Sequence, residues 1–97
     1  MAKTKQEIIN DFTDFFYGIA YRGCYVGITK DVKSRLFGDH DVSEKGGTWI
    51  YRTASSDSVA RDIEQHFFVA GMDGDGGGGD EESKIVYAYK KISVLNF

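Results

Sequence analysis

Residues 4 to 14, TKQEIINDFTD, carry Ile8, Ile9 and Phe12 at helical spacing, which predicts a first helix. Two apolar runs follow in FFYGIAYRGCYVGIT, separated by a short polar turn. A three-residue loop Tyr21-Arg22-Gly23, with Gly23 in the left-handed conformation, predicts a β-hairpin there. That register sets Ile19 opposite Tyr25 and Tyr17 opposite Gly27, so Tyr17, Ile19, Tyr25 and Gly27 share one face. Phe16, Gly18, Ala20, Cys24, Val26 and Ile28 take the other face, which reads as the core side. Two phenols above a glycine then make a shallow floor on the outer side.

Thr29 or Asp31 is placed to cap a second helix over about 31 to 37, with Val32 and Leu36 on its buried side and Gly38 as its stop. Arg35 lies beside that apolar pair. After the polar connection GDHDVSEKGG, the run TWIYRTA alternates as a strand. SSDS is a dense capping signal, and residues 57 to 70 form the longest predicted helix. Val59, Ala60, Ile63 and Phe67 occupy one arc of it, and Glu64 falls between Ala60 and Phe68 with apolar neighbours one turn before and after. GMDGDGGGGDEES, with glycine at six of thirteen positions, predicts a flexible loop. KIVYAYKKI predicts a last antiparallel strand, placed near an edge because of its lysines. The elements add up to an α/β (α+β) fold, a small central antiparallel sheet flanked by helices, in one domain over 1–97.

Length agrees with that reading, since 97 residues with 41% apolar and 14% aromatic content support one core and not two. No run approaches the roughly 18 apolar residues of a membrane span, and MAKTKQEIINDF has no apolar stretch of a secretion signal. A cytoplasmic protein with no membrane partner is the expectation. A single cysteine excludes an internal disulfide and a thiolate zinc cage, and Cys24, beside Tyr25-Val26, reads as core. The net charge of −3 argues against a polyanionic partner only superficially. Five of the fifteen acids (Asp73, Asp75, Asp80, Glu81, Glu82) lie in 71–83, leaving twelve basic residues against ten acidic ones, a balance of +2 elsewhere. Lys30, Lys33, Arg35 and Arg52 are expected to form the one sizeable basic patch.

YVG at 25–27, the strand-to-helix segment YVGITKDVKSRL and the second segment TASSDSVARDIEQHFF together resemble a GIY-YIG endonuclease domain over roughly residues 15 to 68. The resemblance implies a DNA-cleaving site with Arg35 on the family's arginine and Glu64 on its glutamate. Tyr25 is then the second-motif tyrosine. FFY at 15–17 stands nearest the first motif at a shortened distance, and Tyr17 is preferred because the hairpin register gives it the face of Tyr25. The pattern departs from the family at three points: the literal GIA at 18–20 lacks the tyrosine, Asp39 takes the position one turn after Arg35 while His40 lies five residues on, and no asparagine follows the glutamate convincingly.

Phosphodiester hydrolysis needs a nucleophilic water, charge stabilisation and help for the departing oxygen. The resemblance implies that Glu64 holds one divalent metal, Mg2+ or Mn2+, and that Arg35 donates a bidentate pair of hydrogen bonds to the phosphate. Tyr17 or Tyr25 would take or orient a proton, which a phenol of pKa near 10 does near neutrality only beside a cation. Gly27, Lys30, Lys33, His40 and Arg52 complete the expected substrate contacts.

Each of these residues also has a plain structural use: Tyr25 as a half-buried strand aromatic, Arg35 as a solvated helix residue, Glu64 as a helix-edge acid, His40 as a loop residue. Trp49 and Tyr51 read as strand packing. The DGDGGGGDEE segment fits calcium-loop positions at Asp73, Asp75 and Gly78, but Gly77 and Lys84 stand where ligands are required. DNA is the expected partner, recognised with the help of a protein partner or a homodimer. The alternative is the same fold as a noncatalytic nucleic-acid or protein binding module.

Overall fold

The computed structural model describes residues 3–74 and 82–91. The predicted loop's residues 75–81, and with them most of the calcium-loop positions, lie outside those described.

Helix α1 (Lys5–Phe15) begins at a full capping box: the Thr4 hydroxyl accepts from the Glu7 amide at 3.1 Å, and the Glu7 carboxylate accepts from the Thr4 amide at 2.8 Å. Its apolar stripe buries Ile8 and Phe12 completely. The helix takes the first residue, Phe15, of the apolar run that the hairpin reading assigned to a strand. Phe16 caps it, and Gly18 then turns the chain at φ 83°, a conformation that favours glycine. Ile19 and Tyr21 pack on the core from irregular chain, and Tyr21–Gly23 forms a short 3-10 turn. Among the described residues no strand precedes β1, so the predicted hairpin is replaced by a helix, a turn and a first strand whose partner comes later in the chain.

Strand β1 (Cys24–Thr29) finds its partner about sixty residues later in β3 (Ile85–Lys90), with Tyr25 opposite Tyr89 and Gly27 opposite Tyr87. Strand β2 (Trp49–Thr53) pairs with the other side of β3, with Trp49 opposite Tyr89 and Tyr51 opposite Tyr87. The sheet order is β1-β3-β2, antiparallel throughout. β3 is therefore the central strand and not an edge. Its lysines flank the run Val86-Tyr87-Ala88-Tyr89, all four of which are buried, as a strand covered on both faces requires. The outer side of β1 is not bare either. Asp73 runs beside it, its carbonyl accepting from the Val26 amide at 2.8 Å and its amide donating to the Cys24 carbonyl at 2.9 Å.

Alternation along the strands sorts the side chains into two layers. Cys24, Val26, Ile28, Val86, Ala88 and Ile50 face α1 and helix α2 (Asp57–Val69). α2 starts at Ser56, whose hydroxyl accepts from the Val59 amide, and lays Ala60, Ile63 and Phe67 on this core. Phe12 and Phe67 meet at 5.5 Å between ring centroids. Each such fully buried phenylalanine contributes roughly 1.5–3 kcal/mol. The opposite layer holds Leu36, Val42, Tyr87 and Tyr89, with Tyr25, Val32, Phe37 and Trp49 around them. No helix among the described residues is long and apolar enough to cross a membrane.

Candidate functional site

The second layer is polar at its centre, and Gly27 is the reason it can be. Tyr87 crosses from β3 over β1, and a Cβ at position 27 would stand 2.5 Å from the Tyr87 hydroxyl and 2.6 Å from its Cζ. The glycine is the space into which the phenol fits.

His40 meets that phenol from above. Its Nε2 lies 2.9 Å from the Tyr87 hydroxyl and its Nδ1 lies 2.9 Å from the Tyr89 hydroxyl. A neutral imidazole donates through one nitrogen and accepts at the other, so one phenol donates to His40 and the other accepts from it. Tyr25 closes the cluster, its ring 4.6 Å from the His40 ring and 5.4 Å from Tyr89.

The helix that carries Arg35 explains how His40 reaches this place. Thr29 Oγ1 accepts from the Asp31 amide at 3.0 Å, and Asp31 Oδ1 accepts from the Ser34 amide at 3.2 Å, so both expected caps operate in succession. The chain then forms a π-helix over Ser34–Asp39, passing through Gly38 instead of stopping there. The His40 amide donates to the Arg35 carbonyl at 2.9 Å, a bond across five residues. The wider turn absorbs one extra residue, so His40 occupies the position one turn after Arg35 despite its five-residue spacing. Asp39 instead faces the guanidinium, with Oδ2 3.2 Å from Arg35 Nη1.

Arg35 is half-buried, and its guanidinium is held above the ordinary arginine range. The hydrogen bond to the Tyr87 phenol is the largest cause; burial opposes it, and Asp39 adds to it. The arrangement thus brings Tyr25, Gly27, Arg35 and His40 together and adds Tyr87 and Tyr89.

Other expected residues go elsewhere. Tyr17 is 89% exposed on the loop after α1, because the strand meant to carry it is not formed. Arg52 pairs with Val86 in the register and so points to the α1 side, where its Nε donates to Asp11 at 3.0 Å. Lys30 and Lys33 are exposed, and Lys30 lies 3.9 Å from Glu82. The predicted four-residue basic patch is therefore split between the two faces of the sheet. Glu64 is 7% exposed on α2, the helix that covers the face opposite the π-helix. It is the one buried acid among the described residues, and no three His, Cys, Asp or Glu side chains gather among them.

Tyr87 and Tyr89 were the residues that sequence reasoning left out of the site. Their signal is the spacing of two phenols in VYAY, which puts both on one face of a strand. Comparison of the chain with protein-family models, curated proteins and solved structures gives no match.

Proposed function

We propose that the chain is an endonuclease of GIY-YIG type that hydrolyses DNA phosphodiester bonds, with Tyr87 as the second phenol of the site where Tyr17 was expected. The observation that carries the reading is the Tyr87 hydroxyl, 2.9 Å from His40 Nε2 and adjacent to Arg35 above Gly27. Arg35 binds the scissile phosphate through its planar fork and stabilises charge that grows on the non-bridging oxygens. The same cation favours the phenolate form of a neighbouring tyrosine. Tyr25, which is only partly buried, accepts the proton of the attacking water, and the fully buried Tyr87, held by His40, fixes Arg35 in place.

Glu64, the carboxylate that the resemblance gives to a divalent metal, is 7% exposed on the helix that covers the face opposite Arg35, and no three His, Cys, Asp or Glu side chains gather among the described residues. A hydrated Mg2+ or Mn2+, which needs several oxygen ligands and its own waters, therefore does not fit beside the phosphate at Arg35 with what Glu64 offers. With Arg52 on the far face, little cationic surface remains around Arg35, so productive DNA binding depends on a protein partner, a second copy or an unusual DNA structure.

One observation favours the noncatalytic binding module instead: Arg35 is paired with Asp39, and both His40 nitrogens are held by tyrosines. Nicking of supercoiled plasmid with Mg2+ or Mn2+ decides between them. The nuclease reading expects nicking that is lost in Arg35→Ala and Tyr87→Phe and kept in Tyr17→Phe. Absence of nicking by the folded native chain would leave the binding module.

A further inference from the structure

Beside His40, a cleft of about 400 Å³ opens between the loop 41–47 and the end of β3. Its size lies in the range of small-ligand sites and suits one nucleotide. His40 and Tyr89 form the wall it shares with the tyrosine cluster, so whatever enters the cleft lies against the residues that hold Tyr87 in place.

The loop is built by its own bonds. The Gly47 amide donates to the Ser43 carbonyl at 2.8 Å, and the Gly46 amide donates to the Ser43 hydroxyl at 3.0 Å. The Trp49 indole donates to the Glu44 carbonyl at 3.1 Å, fastening the loop to β2. A Cβ at position 47 would stand 2.5 Å from the Ser43 carbonyl oxygen, so the turn closes only around glycine. The cleft is therefore formed before any ligand arrives, which lowers the ordering cost of binding.

Its lining is mixed in a particular way. Val42 and Tyr89 supply apolar surface, Lys90 supplies a cation that meets no carboxylate among the described residues, and Asp41 supplies an acceptor from a backbone at φ 57°. Lys91, also at the rim, is already paired with Asp73. One free cation, an apolar floor and a carboxylate acceptor match a nucleotide, with one phosphate, a flat ring and ring donors, better than they match a bare polyanion.

We propose that this cleft is a nucleotide subsite, seating the residue of a DNA strand next to the phosphate held by Arg35. The proposal rests on the nuclease reading for its place in catalysis, but not for binding itself. Trp49 is the single tryptophan, and its bond to Glu44 makes its fluorescence a reporter of the loop.

The full chain is titrated, without metal, with 2′-deoxyadenosine 3′,5′-bisphosphate and separately with a short single-stranded oligonucleotide. Trp49 emission and the amide signals of Gly46 and Gly47 are followed. Both ligands are expected to move these signals to saturation, with affinity about tenfold weaker in Lys90→Glu. Signals that stay still, or binding indifferent to Lys90→Glu, overturn the subsite. Binding of the free nucleotide without the strand also overturns it. Plasmid nicking separates the two readings: a cleft that binds the strand in a chain that does not nick removes the nuclease alone, and nicking with a silent cleft removes the subsite alone.

Discussion

Gly27 and Tyr87 face each other across β1 and β3, and the phenol of one occupies the volume that a side chain on the other would need. Gly27→Ala is thus expected to cost about 1–3 kcal/mol in urea unfolding, in line with overpacking of a tight contact. Adding Tyr87→Phe will not restore the loss, because Cζ, at 2.6 Å, obstructs as much as the hydroxyl does. Full recovery in the double variant would show that the ring moves freely and that the contact does not define the site.

Tyr87→Phe and Tyr89→Phe each remove one of the two hydroxyls on His40. Loss of one such bond should lower stability by about 1 kcal/mol in either variant. Activity separates them. Tyr87→Phe should abolish nicking, as expected of the phenol that holds Arg35, whereas Tyr89→Phe should leave measurable nicking with a shifted pH profile, because its loss removes one of the two bonds on the His40 imidazole. Equal pH profiles for Tyr89→Phe and the native chain would assign Tyr89 to packing only.

Asp11 joins α1 to β2 by accepting from Lys3 at 2.8 Å and from Arg52 at 3.0 Å. Those bonds, that from Lys3 first, hold its carboxyl below the ordinary value of 3.8. A carboxyl with a lowered folded pKa contributes stability that is present above the unfolded value and lost as pH falls through the folded one. The gain is no more than about 1 kcal/mol, since the group remains partly in water. Urea melts of the native chain and Asp11→Asn should therefore differ at neutral pH and converge in acid. A constant difference across that range would remove the ion pairs as its cause.

Burial pushes the Cys24 thiol above its ordinary value of 9.0, against the opposing charges of Lys90 and Lys91. A raised folded pKa contributes stability that is full below the unfolded value and lost as pH rises through the folded one. Stability should decline on the alkaline side of pH 9.0, less so in Cys24→Ser, and a thiol reagent should label Cys24 only as fast as the fold opens. Rapid labelling of the native chain would place Cys24 outside the core.

Local pattern carried much of this architecture. The capping box at Thr4, the spacing of Ile8 and Phe12, the SSDS cap and the arc Ala60-Ile63-Phe67 specify two helices wherever they dock, because capping and amphipathicity act over one or two turns. Alternation likewise marks Cys24–Thr29, Trp49–Thr53 and Ile85–Lys90 as strands. It also assigns Tyr25 and Gly27 to one face, and they do share one.

Pairing is a different matter, since it joins residues that no short window contains. Tyr17 was given to the site by a hairpin that was locally plausible, yet α1 keeps the preceding residues helical and β1 takes β3 as its partner instead. β3 looked like an edge strand by its lysines and became the centre because both neighbours add to it. That one choice brought Tyr87 over Gly27 and sent Arg52 to the other face. The π-turn is similar: a five-residue gap between Arg35 and His40 reads as out of register until the backbone widens. The sequence by itself determined the two α-helices and the three strands that form, because those follow from local periodicity. Only the tertiary structure decided which tyrosine meets the arginine and histidine, because strand order is set by packing summed over the whole sheet.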